Sequence, residues 1–117
     1  MPTFSPVRKI SVAEAARQIP GQSGERFAVV FEHGTLEVEL YQPRDVDPQQ
    51  PHRRDEVYIV AAGSGTYVVG SERLTFGPGD FLFAPAGVPH RFEYFSQDLS
   101  VWVFFYGPDG GEKPPSP

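Results

Sequence analysis

The sequence has 117 residues and no cysteine, which suits one domain and excludes disulfides, zinc ribbons and cysteine nucleophiles. Its 15 acidic and 10 basic residues give a net charge of −5, which argues against nucleic acid or an anionic membrane as a partner. No apolar run approaches the ~18 residues of a membrane span, and the N-terminus lacks the pattern of a secretory signal, so we expect a cytoplasmic protein.

The first predicted element is one short helix at about residues 12–18. Ser11 and Glu14 form a capping box at its start, and Pro20-Gly21 should end it. We assign residues 1–24 to an N-terminal arm that carries this helix.

From Phe27 onward the apolar residues repeat with a period of two, which predicts strands. In the second strand one face is apolar and the other is acidic, so we expect it to be half-buried; the alternating residues are Leu36, Val38 and Leu40 against Glu37, Glu39 and Tyr41. Further strands are predicted at 56–61, 65–69, 73–76, 80–84, 89–95 and 99–106. Short strands with regular Gly and Pro turns indicate an all-β sandwich or barrel over residues 25–107. The Pro- and Gly-rich residues 108–117 should form a flexible tail.

Two polar clusters flank the middle strands of this predicted barrel. Period-two alternation places Glu56 on one face with Tyr58, and His90 on one face with Phe92. A carboxylate among aromatic side chains is costly to bury unless it is paired or bound to a metal. Two imidazoles (His52 and His90) with one carboxylate (Glu56) are typical of open metal sites. Fe(II) is the usual occupant, and nickel, manganese, zinc or copper would also accept these ligands.

The spacing of these residues resembles the cupin family of small β-barrels. The first family motif is H-x-H-x(3,4)-E-x(6)-G, and the matching residues are His52, Glu56 and Gly63. The second is G-x(5)-P-x-G-x(2)-H-x(3)-N, and the matching residues are Gly79, Pro85, Gly87 and His90. The chain departs from the family twice, because Gln50 stands at the first His of motif one and Tyr94 at the Asn of motif two.

The resemblance implies a cupin-type jelly roll that binds one divalent metal ion through His52, Glu56 and His90. Gln50 is a further candidate ligand, which could coordinate the metal, orient a metal-bound water or only line the pocket. The family's outward-facing apolar strands commonly pair between subunits, and apolar positions on both faces of the first and last strands fit a homodimer.

Each of these residues also has an explanation without function. His52 could be a solvated loop residue, Glu56 a solvent-facing acid beside Asp55, and His90 a core residue bonded to the backbone. Several aromatic residues could line a substrate pocket, although filling of the barrel is the more frequent explanation for them; they are Tyr58, Tyr67, Phe92, Tyr94 and Trp102.

The leading functional interpretation is a metal-dependent enzyme that acts on a small molecule, of dioxygenase type with Fe(II) or of isomerase or lyase type with another metal. The alternative is a non-catalytic module that binds a sugar or another small molecule, since fold alone does not decide between the two. A purely structural role leaves Glu56 without a reason to point inward. No separate general base can be identified from the sequence.

Overall fold

The computed structural model describes residues 7–113 of the chain. Its elements, in chain order, are α1 (Val12–Ala16), β1 (Phe27–His33), β2 (Leu36–Tyr41), β3 (Asp55–Ala62), β4 (Gly65–Val69), β5 (Glu72–Phe76), β6 (Phe81–Ala84), β7 (His90–Glu93) and β8 (Ser100–Tyr106). The prediction of an all-β fold with one short N-terminal helix is therefore confirmed. Among the described residues, no helix has the length and apolarity to cross a membrane.

Helix α1 begins with the predicted capping box. The Glu14 backbone N–H donates to Ser11 Oγ over 3.0 Å, and Glu14 Oε1 accepts from the Ser11 N–H over 2.8 Å. The helix ends at Ala16, two residues earlier than predicted, because the N–H groups of Gln18 and Ile19 bond three residues back instead of four.

The strands form two antiparallel sheets that face each other. The larger sheet has the order β1-β2-β8-β3-β6, and the smaller has the order β5-β4-β7. The core between them is rich in aromatic and branched side chains from both sheets; its buried members include Tyr58, Val60, Tyr67, Phe76, Leu82, Phe92, Val101 and Val103. The strand rhythm predicted a sandwich or barrel, and the family resemblance implied this jelly-roll barrel.

A second apolar cluster lies on the outer face of the larger sheet. Ala15 of α1 packs there with Ala28 and Val30 of β1 and with Leu40 of β2. Trp102 of β8 contacts the same cluster. The helix therefore covers the back of the sheet and takes no part in filling the barrel.

Strand β2 has two buried faces at its C-terminal end. Leu40 is wholly buried toward α1, whereas its neighbour Glu39 is 9% exposed and lines a cavity on the barrel side. The predicted division into an apolar and an acidic face is present, but the acidic face points into the barrel and the apolar face lies behind it.

The chain beyond β8 returns to the start of β3. The Gly110 N–H donates to the Arg53 carbonyl over 2.7 Å, and the Glu112 N–H donates to Asp55 Oδ2 over 2.8 Å. These bonds hold the described part of the predicted tail against the barrel, and residues 114–117 lie outside the described residues.

Candidate metal centre

Three side chains with metal-binding atoms meet inside the barrel. His52 comes from the loop before β3, Glu56 from β3 and His90 from the first position of β7. Their ligand atoms all lie within 4.8 Å of one another. His52 Nδ1 is 2.7 Å from Glu56 Oε1, and His90 Nε2 is 3.2 Å from the same oxygen. The structure thus brings together the two imidazoles and the carboxylate that the spacing indicated.

Two atoms of this group are buried without a hydrogen-bond partner among the described residues. They are Glu56 Oε2 and His90 Nε2, and the latter is close to Glu56 Oε1 but not aligned for a hydrogen bond. Buried polar atoms are nearly always satisfied in proteins, because an unpaired one costs on the order of 1–3 kcal/mol. A divalent cation would satisfy both atoms, and two His with one carboxylate form a donor set that such ions accept.

His90 is held in the orientation that a metal ligand needs. Its Nδ1 lies 3.0 Å from the Val88 carbonyl, so this nitrogen carries the proton and donates it there. In the neutral ring the lone pair is then on Nε2, the atom that faces Glu56. The turn before β7 therefore selects the tautomer that can bind a metal.

The protein without metal keeps Glu56 ionised. Burial raises the pKa of this carboxyl, but its interactions with His52 and His90 outweigh the burial and hold the pKa at about 2. Burial lowers the pKa of His90, yet the proximity of Glu56 and the Val88 carbonyl give a net rise. The carboxylate is therefore ionised and ready to bind a cation.

A hydrogen-bond network fixes the loop that delivers His52. Asp47 in this loop accepts from the Tyr41 hydroxyl over 2.5 Å and from the Phe92 backbone N–H over 2.8 Å. Gln49 donates to Asp47 Oδ2 over 2.7 Å and accepts from the Tyr58 hydroxyl over 3.0 Å. Because Tyr41 belongs to the larger sheet and Phe92 to the smaller one, Asp47 ties the loop to both.

The two sequence motifs also contact each other directly. The Gly87 N–H of motif two donates to the His52 carbonyl over 2.7 Å. The Ala86 N–H donates to Asp55 Oδ1 over 2.9 Å. The turn that orients His90 is therefore bonded to the segment that carries His52 and Glu56.

The other predicted site residues lie in different surroundings. Gln50 is exposed, and its neighbour Gln49 lines the cavity instead. Tyr94 is 84% exposed with a φ of 50°, because β7 ends at Glu93. Trp102 contacts the outer cluster beneath α1. The remaining three are buried and pack edge to face or tilted against one another in the core: Tyr58, Tyr67 and Phe92.

A cavity of about 430 Å³ opens beside His52 and Glu56. Its remaining lining comes from the chain before β2, from β2 and the following loop, and from β8; among it are Phe27, Glu39, Tyr41, Val46, Gln49, Val103 and Phe105. This volume is in the range of small-molecule sites. Sequence reasoning missed Glu39 and Phe105 as lining residues, although the acidic alternation of β2 was a signal for Glu39.

Glu39 differs electrostatically from Glu56. Burial, together with the charges of Glu37 and Glu56, raises its pKa to about 8. The cavity thus has one carboxyl that is firmly ionised and another that readily carries a proton near neutral pH.

Comparison with known proteins connects this geometry to a family. Residues 37–106, more than half of the chain, match the family model described as "Cupin domain". A stretch of 63 residues is 43% identical to the uncharacterized protein SCO3923 of Streptomyces coelicolor and covers 54% of this chain and 60% of that protein. Another stretch of 61 residues is 30% identical to the dimethylsulfoniopropionate lyase DddQ of Ruegeria pomeroyi; it covers 51% of this chain and 30% of that protein. The chain therefore spans less than two thirds of either curated relative.

Solved structures share the architecture. The crystal structure of TT1209 from Thermus thermophilus matches with a TM-score of 0.66 and 27% identity, over 87% of this chain and 100% of that one. The agreement extends from the residue spacing to the arrangement of the whole barrel.

Proposed function

Because this chain belongs to the cupin domain family, we propose that it is a metal-dependent enzyme acting on a small molecule. One divalent ion would be held by His52, Glu56 and His90, with substrate in the adjoining cavity. The observation that carries the proposal is the pair of buried, unpartnered ligand atoms, Glu56 Oε2 and His90 Nε2, beside that cavity. Gln50, which is exposed, is not part of the proposed ligand set.

The metal would supply Lewis acidity toward a substrate oxygen or, if it is Fe(II), redox chemistry with dioxygen. We favour Fe(II) from the donor set, with zinc, nickel, manganese and copper as the other candidates. A dioxygenase-type reaction follows from Fe(II), and isomerase or lyase chemistry follows from any of these ions acting as a Lewis acid. The 30% identity to a lyase over 61 residues supports the second type.

The protein's own residues have separate tasks in this proposal. Glu56 and the Val88-bound His90 provide a preset pair of donors, while the Asp47 network holds the loop that carries His52. The apolar wall formed by Val103 and Phe105 would exclude water from the bound molecule.

The same cavity also suits a module that binds a small molecule without converting it. Its wall is largely apolar with a few polar groups, which is the general character of ligand pockets. Turnover of any bound compound would favour the enzyme, and a tightly retained, unchanged ligand would favour the binder.

The first test is the metal content per chain by mass spectrometry of untagged protein. We expect close to one transition-metal ion per chain in the wild type and loss of that ion in His52→Ala and His90→Ala. The third histidine provides a matched control, because His33 is exposed on β1 and His33→Ala should retain the metal. Wild-type protein that stays metal-free after anaerobic reconstitution with each candidate ion would refute the metalloenzyme.

We also propose that the protein forms a homodimer through an edge of its larger sheet. Phe27 and Val29 on edge strand β1 and Phe81 and Phe83 on edge strand β6 are exposed apolar residues. Light scattering coupled to gel filtration tests this, and a mass that stays monomeric across a concentration series would contradict it.

A further inference from the structure

One buried acid of the cavity is not explained by the metal site or by the packing of the barrel. Glu39 lies on β2 of the larger sheet, between Val29 of β1 and Val103 of β8. These cross-strand neighbours are apolar, so neither offers a hydrogen bond or a positive charge to the carboxyl. Glu39 nevertheless lines the same cavity as His52 and Glu56.

The other buried carboxyls in residues 7–113 all have partners. Asp47 accepts from Tyr41 and Phe92, Asp55 accepts from two backbone N–H groups, and Glu56 belongs to the metal group. Glu39, at 9% exposure, makes no side-chain hydrogen bond or ion pair within the same residues.

Two arginines near this end of the barrel bond to other groups. The Arg54 guanidinium bonds to the Thr35 carbonyl over 2.5 Å and lies 3.5 Å from Glu37 at the rim of β2. Arg26 Nε donates to the Gln42 carbonyl over 2.9 Å. A buried carboxyl without a partner is costly, and here the open side of Glu39 is the cavity. Its missing partner is therefore best supplied by the molecule that occupies the cavity.

We propose that Glu39 is the acid–base catalytic residue of this site, which moves a proton between two atoms of the bound substrate. This inference rests on the proposed function and extends it. The ionised carboxylate removes a proton from the hydroxyl-bearing carbon next to a carbonyl; the C–H electron pair forms the C=C bond of an enediol, and the carbonyl π pair moves to its oxygen. Glu39 then returns the proton to the former carbonyl carbon, the other oxygen forms the new C=O bond, and its hydroxyl proton passes to the first oxygen. Atoms and electrons balance as an isomerisation, and no oxidant or reductant is consumed.

The lining of the cavity indicates the substrate class. Its lining combines the polar groups of the metal site with apolar side chains such as Phe27, Val46 and Phe105. The charged lining residues besides His52 are three acids and one base, Glu25, Glu39, Glu56 and Arg26. The site therefore suits a small hydroxy-carbonyl compound with an apolar part, and its acidity disfavours phosphorylated or other polyanionic substrates.

The raised pKa of Glu39 supports this role. A carboxyl with a pKa of about 8 both accepts and returns a proton near neutral pH, which is the condition for efficient general acid–base catalysis.

The test uses hydroxyacetone as the probe and the metal-reconstituted full-length protein in D₂O. Exchange of the probe's C–H hydrogens for deuterium is followed by proton NMR, and its affinity is measured in the same samples by NMR titration. We expect Glu39→Gln to slow exchange by about 100-fold or more, the usual contribution of a general acid–base group, while the affinity changes by less than about threefold. Glu39→Leu should lose both exchange and affinity, and Glu39→Asp should recover part of the exchange.

Glu32→Gln is the matched control. Glu32 is an exposed acid on the neighbouring strand β1 and does not line the cavity, so the variant should exchange at the wild-type rate. Wild-type exchange in Glu39→Gln, no exchange by the wild type, or loss of metal from Glu39→Gln would each overturn the proposal. Metal content is measured on every sample, so a metal-free wild type identifies failure of the proposed function instead.

Discussion

Asp47→Asn is the substitution that most directly tests how the loop before β3 is held. The carboxylate accepts Tyr41 on Oδ1 and Phe92 on Oδ2, with Gln49 donating to both oxygens. An asparagine keeps one acceptor oxygen and replaces the other with a donor. Whichever way the amide turns, one buried donor then faces another.

The magnitude follows from the bonds that are lost. A hydrogen bond to a charged group contributes roughly 1.5–3 kcal/mol, and leaving a buried partner unsatisfied costs a similar amount. Asp47 is 9% exposed, so water offers little compensation. We expect the free energy of unfolding to fall by about 3 kcal/mol and the Tm to fall by about 10 °C. Affinity for metal should also fall, because the loop carries His52.

The assay is urea unfolding of the metal-free protein, followed by circular dichroism and by fluorescence of the single tryptophan, Trp102. Asp45→Asn is the control, since Asp45 is exposed in the same loop and its φ of 64° is tolerated by asparagine. A loss below ~0.5 kcal/mol for Asp47→Asn, equal to the control, would refute the claim that Asp47 joins the loop to both sheets.

Three further predictions concern the site and its supporting turns. Glu39→Gln should make the metal-free protein more stable at pH 9.5 but not at pH 5. The pKa of Glu39 is raised in the folded protein, so the wild type loses stability as the pH rises from 4.5 through about 8, by at most ~5 kcal/mol. Urea unfolding at both pH values measures this, and the same difference in stability between the two proteins at pH 5 and at pH 9.5 would contradict it. The preferred metal should raise the Tm of the wild type, by the equivalent of about 2.7 kcal/mol at 100 times its Kd, but not that of His52→Ala; calorimetry checks this, and an equal rise in both proteins counts against the site. Gly63→Ala should lower the free energy of unfolding by at least ~2 kcal/mol more than Gly79→Ala. Both glycines have positive φ, but of the two only Gly63 would place a Cβ against the backbone, 2.6 Å from Leu99 Cα. Equal losses of stability in thermal unfolding would contradict this.

The sequence predicted the positions of Glu56 and His90 well because both lie in regular strands, where alternation decides the direction of a side chain. The direction of Gln50 could not be predicted in this way, because the loop before β3 has no period; there Gln49 lines the cavity and Gln50 is exposed. By alternation Tyr94 would share the face of His90, but strand β7 ends at Glu93, so the alternation does not extend to Tyr94.

Face assignment was the other limit of sequence reasoning. The pattern of β2 separates an apolar from an acidic face but does not tell which one points into the barrel. The helix decides this, because α1 covers the apolar face from behind and leaves Glu39 to the cavity. Trp102 in β8 lies on the same outer side, where it packs against the cluster beneath α1.

The opposite orientation of Leu40 and Glu39 has a consequence for how this protein can change over generations or in directed evolution. Substitutions beneath α1 should change the stability of the fold without changing the cavity, whereas substitutions on the acidic side should change the lining of the cavity at a modest cost in stability. Stabilising changes selected in the outer cluster would then provide the tolerance that a new activity needs. A library that varies either the α1-facing or the cavity-facing positions of β2 should therefore yield variants with changed stability from the first set and variants with changed ligand binding from the second.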